Sequence, residues 1–126
     1  MVMEYWSTPC WYVVHTHPRQ EERANHNLLA WGVETFTPKI KEIKYRAFTG
    51  EPTLLIKPLF PRYLFARFKL SDLYYKIRFT RGVHSLVSFM DKPCPVDDEL
   101  IALIQSRIDD KGFVRTVDQL KPGDEV

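Results

Sequence analysis

The segment PLFPRYLFARF, residues 58–68, most constrains the fold of this chain. If it forms a strand, its side chains alternate between two sides, so that Tyr63 and Phe65 point one way and Leu64 and Phe68 the other. Both faces of the strand are then apolar. Such a strand belongs inside a sheet that is covered on both faces. In a small domain, the second face must either be covered by one of the few other elements or be kept for a partner.

Length and composition are those of an ordinary globular domain. The 126 residues are 44% hydrophobic and 13% aromatic, which suffices for one domain with its own core. No apolar run approaches the roughly 18 residues of a membrane span, and no basic and apolar leader precedes the first strand. We therefore expect no membrane segment and no secretory signal, and the cytoplasm is the expected location.

The potential metal ligands form no recognisable site in the sequence. Cys10 and Cys94 are far apart and show no C-x-x-C spacing. His15 and His17 would share one face of a strand, but no third ligand accompanies them. We expect no metal and no cofactor, and we interpret both cysteines as small hydrophobic residues.

The net charge of +2 is unevenly distributed along the chain. Residues 39–69 carry eight bases and two acids, whereas residues 97–126 carry eight acids and four bases. The basic part favours an anionic partner such as a nucleic acid. Charge that only maintains solubility explains the same pattern, so both interpretations stay open.

Hydrophobic periodicity and turn signals divide the chain into strands and helices. The predicted strands lie at residues 10–16, at the beginning of 33–58, at 62–69 and at 83–89. The predicted helices lie between Pro18 and Gly32, from Asp72 to Phe79, and in the segment that begins near Asp97. The rest of 33–58 alternates lysine with isoleucine around a turn at residues 49–52, which predicts a protruding basic hairpin.

Two of these helices have a distinct apolar side. In the first, the residues predicted to face the core are Ala24, Leu28 and Trp31, and those on the opposite polar side are Arg19, Arg23, His26 and Asn27. In the last, the predicted core stripe consists of Val96, Leu100, Leu103, Ile104 and Ile108. The acids of its first turn, Asp98 and Glu99, are explained by the helix dipole rather than by catalysis.

The order of the predicted elements is that of two β-α-β halves. It predicts an α+β fold in which an antiparallel four-stranded sheet with flanking helices forms a ferredoxin-like sandwich, with the basic hairpin added. Residues 1–110 form the domain in this interpretation.

Known catalytic motifs are absent from the sequence, so we expect no enzyme. Two groups of residues favour binding instead. The surplus apolar side of the sheet is formed by His15, Phe60, Tyr63 and Phe65. The polar side of the first helix, together with Arg78, Thr80 and Arg81, is suited to the phosphates and bases of a single strand. The last helix or the hairpin could instead cover the apolar side, so that alternative stays open.

Four segments together resemble a known family: WYVVHTHPRQEERANHNL, PLFPRYLFARF, IRFTRGVHSLVSF and KPCPVDDELIALI. In order and spacing they resemble the N-terminal (NGN) domain of the NusG family of transcription elongation factors, over about residues 11–108. The resemblance implies a factor that binds the coiled-coil clamp helices of the largest RNA polymerase subunit and disfavours pausing, without catalysis. The second apolar face of PLFPRYLF would then be kept for that helical hairpin.

The resemblance also implies roles for individual residues. By position, it assigns His15, Phe60, Tyr63 and Phe65 to polymerase binding. It assigns five residues to the surface that specialised members use for the exposed non-template DNA strand: His17, Arg23, Asn27, Thr80 and Arg81. We add Arg78 to this group. Ala30 and Trp31 occupy positions that such members use for bases, which implies a different DNA preference here.

Departures from the general pattern favour a specialised, RfaH-like antitermination factor. General members usually have Gly where this chain has Arg62. The stretch Leu73-Tyr74-Tyr75 replaces a His-Thr-Thr run that contacts the polymerase gate loop in RfaH, so that second contact is not implied. Residues 111–126 resemble a linker and the start of the family's C-terminal KOW domain, and a monomer is expected.

Two other functions remain possible from the sequence. A free-standing single-stranded nucleic-acid module of RRM-like shape would use the sheet aromatics to stack bases. A small phosphate-ester or acyl-phosphate hydrolase would depend on Arg81, which with Gly82 only weakly resembles a phosphate loop. Variants of Arg81 and of the sheet aromatics distinguish these alternatives from the polymerase-binding function.

Overall fold

The computed structural model describes residues 6–115, which form an antiparallel sheet with three helices and two small ribbons. The strands are β1 (Cys10–Thr16), β2 (Glu34–Phe36), β3 (Lys39–Tyr45), β4 (Pro52–Pro58), β5 (Tyr63–Phe68), β6 (Val83–Leu86), β7 (Ser88–Phe89), β8 (Lys92–Pro93) and β9 (Pro95–Val96). The helices are α1 (Glu21–Ala30), α2 (Leu70–Arg78) and α3 (Asp98–Ser106). The predicted α+β class with an antiparallel sheet is confirmed.

Three elements differ from their predicted bounds. α1 begins three residues after Pro18, because Arg19 adopts a φ of 61° in a turn between Pro18 and the helix. α2 begins at Leu70, two residues before its predicted start. The predicted strand at 83–89 is interrupted after Leu86, and its second part pairs with β8 in a separate two-stranded ribbon.

The main sheet has the strand order β2-β5-β1-β6, and these are the four strands predicted from the sequence. β1 is central and pairs with β5 over the full length of β5. On its other edge β1 pairs with β6 near its end and with the short β9 near its start. The sheet therefore has a fifth, short strand that the sequence did not predict.

One face of the sheet packs against α1 and α2. The core on this face contains Tyr12 and Val14 of β1, Leu64 of β5, Leu28 of α1 and Ile77 of α2, all almost completely buried. Alternation along β1 and β5 sends these side chains to the same side. Burying a side chain of this size contributes about 1.5–3 kcal/mol, so this core holds both helices to the sheet.

Residues 6–115 cover the opposite face of the sheet only at one end. There α3 places Ile101 against Trp11 and Phe65, with Ile104 at the margin. Trp11 and Phe65 are buried, whereas His15 is only half-buried and Tyr63 is exposed. This is the answer to the constraint posed by residues 58–68: the second apolar face is covered beside Phe65 and open beside Tyr63.

The predicted stripe of α3 is wrong for two of its residues. Leu100 and Leu103 are exposed, and the buried residue is Ile101, which the stripe omitted. α3 is apolar on more than one side, so the helical period allows more than one core-facing row. Packing against Trp11 and Phe65 selects the row that contains Ile101 and Ile104.

Strands β3 and β4 form a separate two-stranded ribbon with seven residue pairs. Much of its basic charge is paired with carboxylates: Lys39 with Glu22 of α1, Lys57 with Glu42, and Arg46 with Glu51. Burial is low along most of the ribbon.

The segment after α3 returns to the ribbon. Val114 is buried, and its N–H donates to the carbonyl oxygen of Lys39 at 2.8 Å. The predicted linker therefore begins with residues that contact the domain, and its remainder, residues 116–126, lies outside the described residues. Among the helices of residues 6–115, none is long and apolar enough to cross a membrane.

Candidate functional site

The open end of the sheet presents three rings, which we call the sheet patch: His15, Phe60 and Tyr63. His15 of β1 and Tyr63 of β5 are directly opposite in the antiparallel ladder. Their rings stack with centroids 4.8 Å apart and planes 15° from parallel. Phe60 and Tyr63 each remain 40% exposed. The structure thus brings together three of the four residues that were predicted to bind polymerase.

Phe65, the fourth predicted contact, is not exposed. It is only 6% accessible because α3 covers it and two neighbouring rings flank it. Phe36 stacks on it at 5.9 Å, and Phe60 meets it edge-on at 6.0 Å. The prediction that Phe65 lies on the open apolar side is therefore wrong, and its direct contact with a partner stays a prediction. It supports the patch from below, because it holds the ring of Phe60.

A tight turn positions Phe60 and Tyr63 at the start of β5. The N–H of Tyr63 donates to the carbonyl of Phe60 at 3.0 Å, with Pro61 and Arg62 between them. Arg62 has a φ of 71°, a conformation that a turn of this kind usually assigns to Gly. The backbone of Arg62 is held on both sides: its N–H donates to Glu21 Oε1 and its carbonyl accepts from Thr16. These contacts fix an arginine in a position suited to glycine.

A bulge in the sheet adds two further imidazoles beside the patch. Between His15 and Thr16 the register with β6 shifts by one residue, so that His84 and Ser85 both face His15. The ring of His84 lies 4.8 Å from that of His15 and 5.3 Å from that of His17. His17, predicted to contact DNA, therefore lies in this imidazole cluster. The three imidazoles are not arranged to hold a metal ion, and no metal-binding group was found among residues 6–115.

Burial lowers the pKa of His15, and the positive charges of Arg62, His84 and His17 lower it further. A stacked tyrosine ring on its own would favour the imidazolium. Partial desolvation and the charge of Arg62 therefore favour the neutral form of the imidazole.

A second candidate site is a cleft of about 320 Å³ between the end of α1 and the turn after α2. We call it the Trp31 cleft. It is lined by Asn27, Ala30, Trp31, Phe79, Thr80 and Arg81. Trp31 is 47% exposed and Phe79 is 79% exposed. The prediction that Trp31 faces the core is wrong, because Trp31 follows the last residue of α1 and turns outward.

Two predicted DNA contacts have structural roles in this cleft. Thr80 is buried, and its hydroxyl accepts from Trp31 Nε1 at 3.1 Å while donating to the carbonyl of Lys76. Thr80 is therefore not on the exposed surface where it was predicted, and its contact with DNA stays a prediction. The side-chain amide of Asn27 donates to the carbonyl of Arg81 at 3.0 Å. Asn27 thereby ties α1 to the turn that carries Arg81.

Gly82 allows α1 to approach this turn. Its φ is 95°, and a Cβ there would lie 2.7 Å from the backbone nitrogen of Ala24. The carbonyl of Gly82 also accepts from the N–H of His17 at 3.0 Å. One glycine therefore connects α1, the end of β1 and the cleft.

The other predicted DNA contacts lie outside the lining of the Trp31 cleft. Arg23 is exposed on α1, one helical turn before Asn27. Arg78 is exposed with its guanidinium 5.4 Å from the ring of Tyr74 and 5.8 Å from that of Phe79, and it lines a different depression. The structure brings Asn27, Thr80 and Arg81 together at one site, with Arg23 and Arg78 in its surroundings.

The sequence analysis did not predict His84 or Phe79 as part of these sites. The sequence does indicate that Phe79 is exposed. On the helical wheel of α2 it lies away from the side that carries Leu73 and Ile77, so it cannot face the same core. No sequence pattern indicates the position of His84, since only the bulge directs it toward His15.

Comparison with known proteins gives one family match and one similar solved structure. A family model described as "Transcription termination factor nusG" matches residues 9–105. A solved structure titled "Domain interaction in Thermotoga maritima NusG" is 27% identical, with a TM-score of 0.48 over 73% of this chain. The chain spans 52% of the length of that relative. No curated protein matches the chain. Because the family model covers most of the chain, this protein belongs to the NusG family of transcription factors, in the part that corresponds to the NGN domain, and is not an enzyme.

Proposed function

We propose that this chain is a specialised, RfaH-like elongation and antitermination factor that docks on the clamp helices of the largest RNA polymerase subunit through its sheet patch. One observation carries the proposal: α3 covers the outer face of the sheet at Phe65 and leaves it open at Tyr63. Aromatic rings exposed in this way are typical anchors of a protein interface. A helical coiled coil supplies a partner surface of suitable shape.

The residues in and beneath the patch differ in what they contribute to binding. Phe60 and Tyr63 offer exposed ring area, and each would contribute roughly 1.5–3 kcal/mol if a partner buried it completely. His15 fixes the ring of Tyr63 by stacking, which lowers the entropy lost when the partner binds. Phe65 acts indirectly, because it supports Phe60.

The Trp31 cleft supports a second contact, with the exposed non-template strand of DNA. Trp31 and Phe79 offer stacking surfaces, and stacking of one base on an aromatic ring is worth about 1–3 kcal/mol. Arg81 is exposed at the rim and Arg23 and Arg78 are exposed nearby, so phosphates would find cations around the cleft. In this proposal Asn27 and Thr80 position the cleft, and His17 extends the surface toward the imidazole cluster.

Arg62 and the ribbon supply the remaining support for a specialised role. Arg62 occupies a position whose backbone conformation suits glycine, the residue usual in general members. On the ribbon, basic residues such as Lys44 would add a nonspecific nucleic-acid contact. The ion pairs of Lys39, Lys57 and Arg46 reduce that contribution.

The docking proposal is tested by affinity for RNA polymerase core enzyme. The double variant Phe60→Ala with Tyr63→Ala is expected to weaken binding at least tenfold. Phe48→Ala removes an exposed ring from the ribbon turn and serves as the matched control, with binding unchanged. Equal binding by both variants would refute the docking patch.

The DNA contact is tested by titration with single-stranded DNA. Trp31→Ala and Arg81→Ala are expected to weaken binding, while Tyr63→Ala leaves it unchanged. If Tyr63→Ala abolishes binding and Trp31→Ala does not, the sheet aromatics stack bases and the RRM-like function is correct instead.

A further inference from the structure

The sheet patch is bordered by three imidazoles and by Arg62. His15 contacts the rings of Tyr63 and His84, and His84 in turn contacts His17. These imidazoles come from β1, from the segment just after it, and from β6, so the cluster spans neighbouring parts of the sheet. Protonation of any one of them therefore changes the charge at the edge of the patch.

The groups that act on His15 from the packed elements are all cationic or neutral. Arg62 comes from the turn before β5, His17 from the segment after β1, His84 and Ser85 from β6, and Tyr63 from β5. The carboxylate of Glu21, at the start of α1, accepts from the backbone N–H of Arg62 and is not among the groups that set the pKa of His15. The causes of the lowered pKa thus include no carboxylate that would stabilise an imidazolium.

A partner that covers Tyr63 must also cover the ring stacked on it. Tyr63 and His15 lie flat against each other at 4.8 Å, so an apolar surface over one removes water from the other. Removal of water disfavours the charged form of an imidazole. The bound state therefore holds its proton at His15 less strongly than the free state does.

We propose that docking at the sheet patch is linked to proton release from His15, so that acidification weakens the interaction with the partner. This inference rests on the proposed docking of the patch and adds a regulation of that same site. Neutral His15 is part of an apolar surface with Tyr63 and Phe60. Protonated His15 is a cation that shares its surroundings with Arg62 and two further imidazoles, and no partner can cover it without a cost.

The test is the affinity for RNA polymerase core enzyme at a series of pH values from about 8 to 5.5, at constant ionic strength. Linkage of one proton gives a Kd that rises by up to tenfold for each unit of pH below the pKa of free His15. His15→Phe is expected to flatten this dependence, whatever its affinity at high pH. His26→Phe removes an exposed histidine of α1 outside the cluster and is expected to keep the wild-type dependence.

The outcomes separate the inference from the proposed function. Binding that is absent at every pH refutes docking and the inference with it. Binding with a pH-independent Kd, or with a dependence that His15→Phe leaves intact, refutes the inference alone and leaves docking in place.

A second measurement needs no partner. NMR titration of the imidazole of His15 in the free protein is expected to show a pKa below the ordinary histidine value, and His84→Gln is expected to raise it. An imidazole of His15 that stays neutral from about pH 8 to pH 5.5 would contradict the inference, because no proton would then be left for docking to release.

Discussion

Trp31 Nε1 donates a hydrogen bond to the hydroxyl of Thr80 at 3.1 Å, and this bond joins the end of α1 to the turn after α2. The ammonium of Lys76 lies 5.0 Å from the indole ring and adds a second restraint. Trp31 is therefore exposed and yet held in one orientation. A ring of this kind is prepared to stack on a base with little loss of conformational entropy.

Loss of the Thr80 hydroxyl is expected to release Trp31. Thr80→Val should lower the free energy of unfolding by about 1–2 kcal/mol, because the indole N–H and the Lys76 carbonyl each lose a partner. Single-stranded DNA should bind more weakly, and the indole N–H of Trp31 should exchange faster with solvent by NMR. Thr80→Ser keeps the hydroxyl and is the control. Normal DNA binding by Thr80→Val would show that the bond does not orient Trp31.

Substitution of Gly82 is expected to separate α1 from the turn. In Gly82→Ala the added Cβ would meet the backbone of Ala24 at 2.7 Å, at a φ that alanine rarely adopts. We expect a loss of about 2–4 kcal/mol in the free energy of unfolding, from strain and overpacking together. Gly112→Ala is the control, since its φ is 90° but its Cβ would have open space. Equal losses in chemical denaturation would show that strain alone acts at Gly82.

Variants of Phe65 and Phe60 are expected to differ in their effects on stability and on docking. Phe65→Ala removes a ring beneath α3 and should cost about 3–5 kcal/mol of stability. Phe60→Ala removes an exposed ring and should cost about 1 kcal/mol or less, yet weaken polymerase binding. Urea denaturation and binding assays on the same two variants test this. A stable Phe65→Ala would contradict the burial of Phe65 under α3.

The segment after α3 is expected to contribute a pH-dependent stability. Asp109 Oδ1 accepts from the N–H groups of Phe113 and Lys111, and these bonds, with nearby cations, lower the pKa of Asp109. The folded pKa lies below the unfolded one, so this stabilisation is present above the ordinary Asp pKa and lost as the pH falls through the folded pKa. Denaturation between about pH 5 and pH 3 should thus show a smaller loss of stability for Asp109→Asn. Asp110→Asn controls for net charge, and identical curves for Asp109→Asn and wild type would contradict the prediction.

The main sheet could be predicted from the sequence because local pattern and long-range pairing agree. β1 has the predicted bounds, and β5 differs from the predicted strand only at its ends. The aromatic residues of β5 predict cover on both faces, and the structure covers one face with α1 and α2 and the other with α3 as far as Phe65. Sequence alone did not determine how far α3 would reach, so Phe65 and Tyr63 were placed in one environment although only Tyr63 is exposed.

The sequence predicted which candidate residues lie near one another better than it predicted the environment of each side chain. Thr80 and Asn27 lie beside Arg81, with which they were grouped, but both side chains make hydrogen bonds within the protein. The bulge that turns His84 toward His15 depends on a one-residue shift between strands, which no local pattern reveals. Trp31 was assigned to the core because helical periodicity was extended past the end of α1.

The most direct test of the open sheet face is site-specific photo-crosslinking to RNA polymerase core enzyme. A photoreactive amino acid at position 63 lies on the patch, and the same probe at position 103 lies on the exposed side of α3. We predict a covalent adduct from position 63 with the clamp helices of the largest subunit and none from position 103. An adduct from position 103 without one from position 63 would contradict the account.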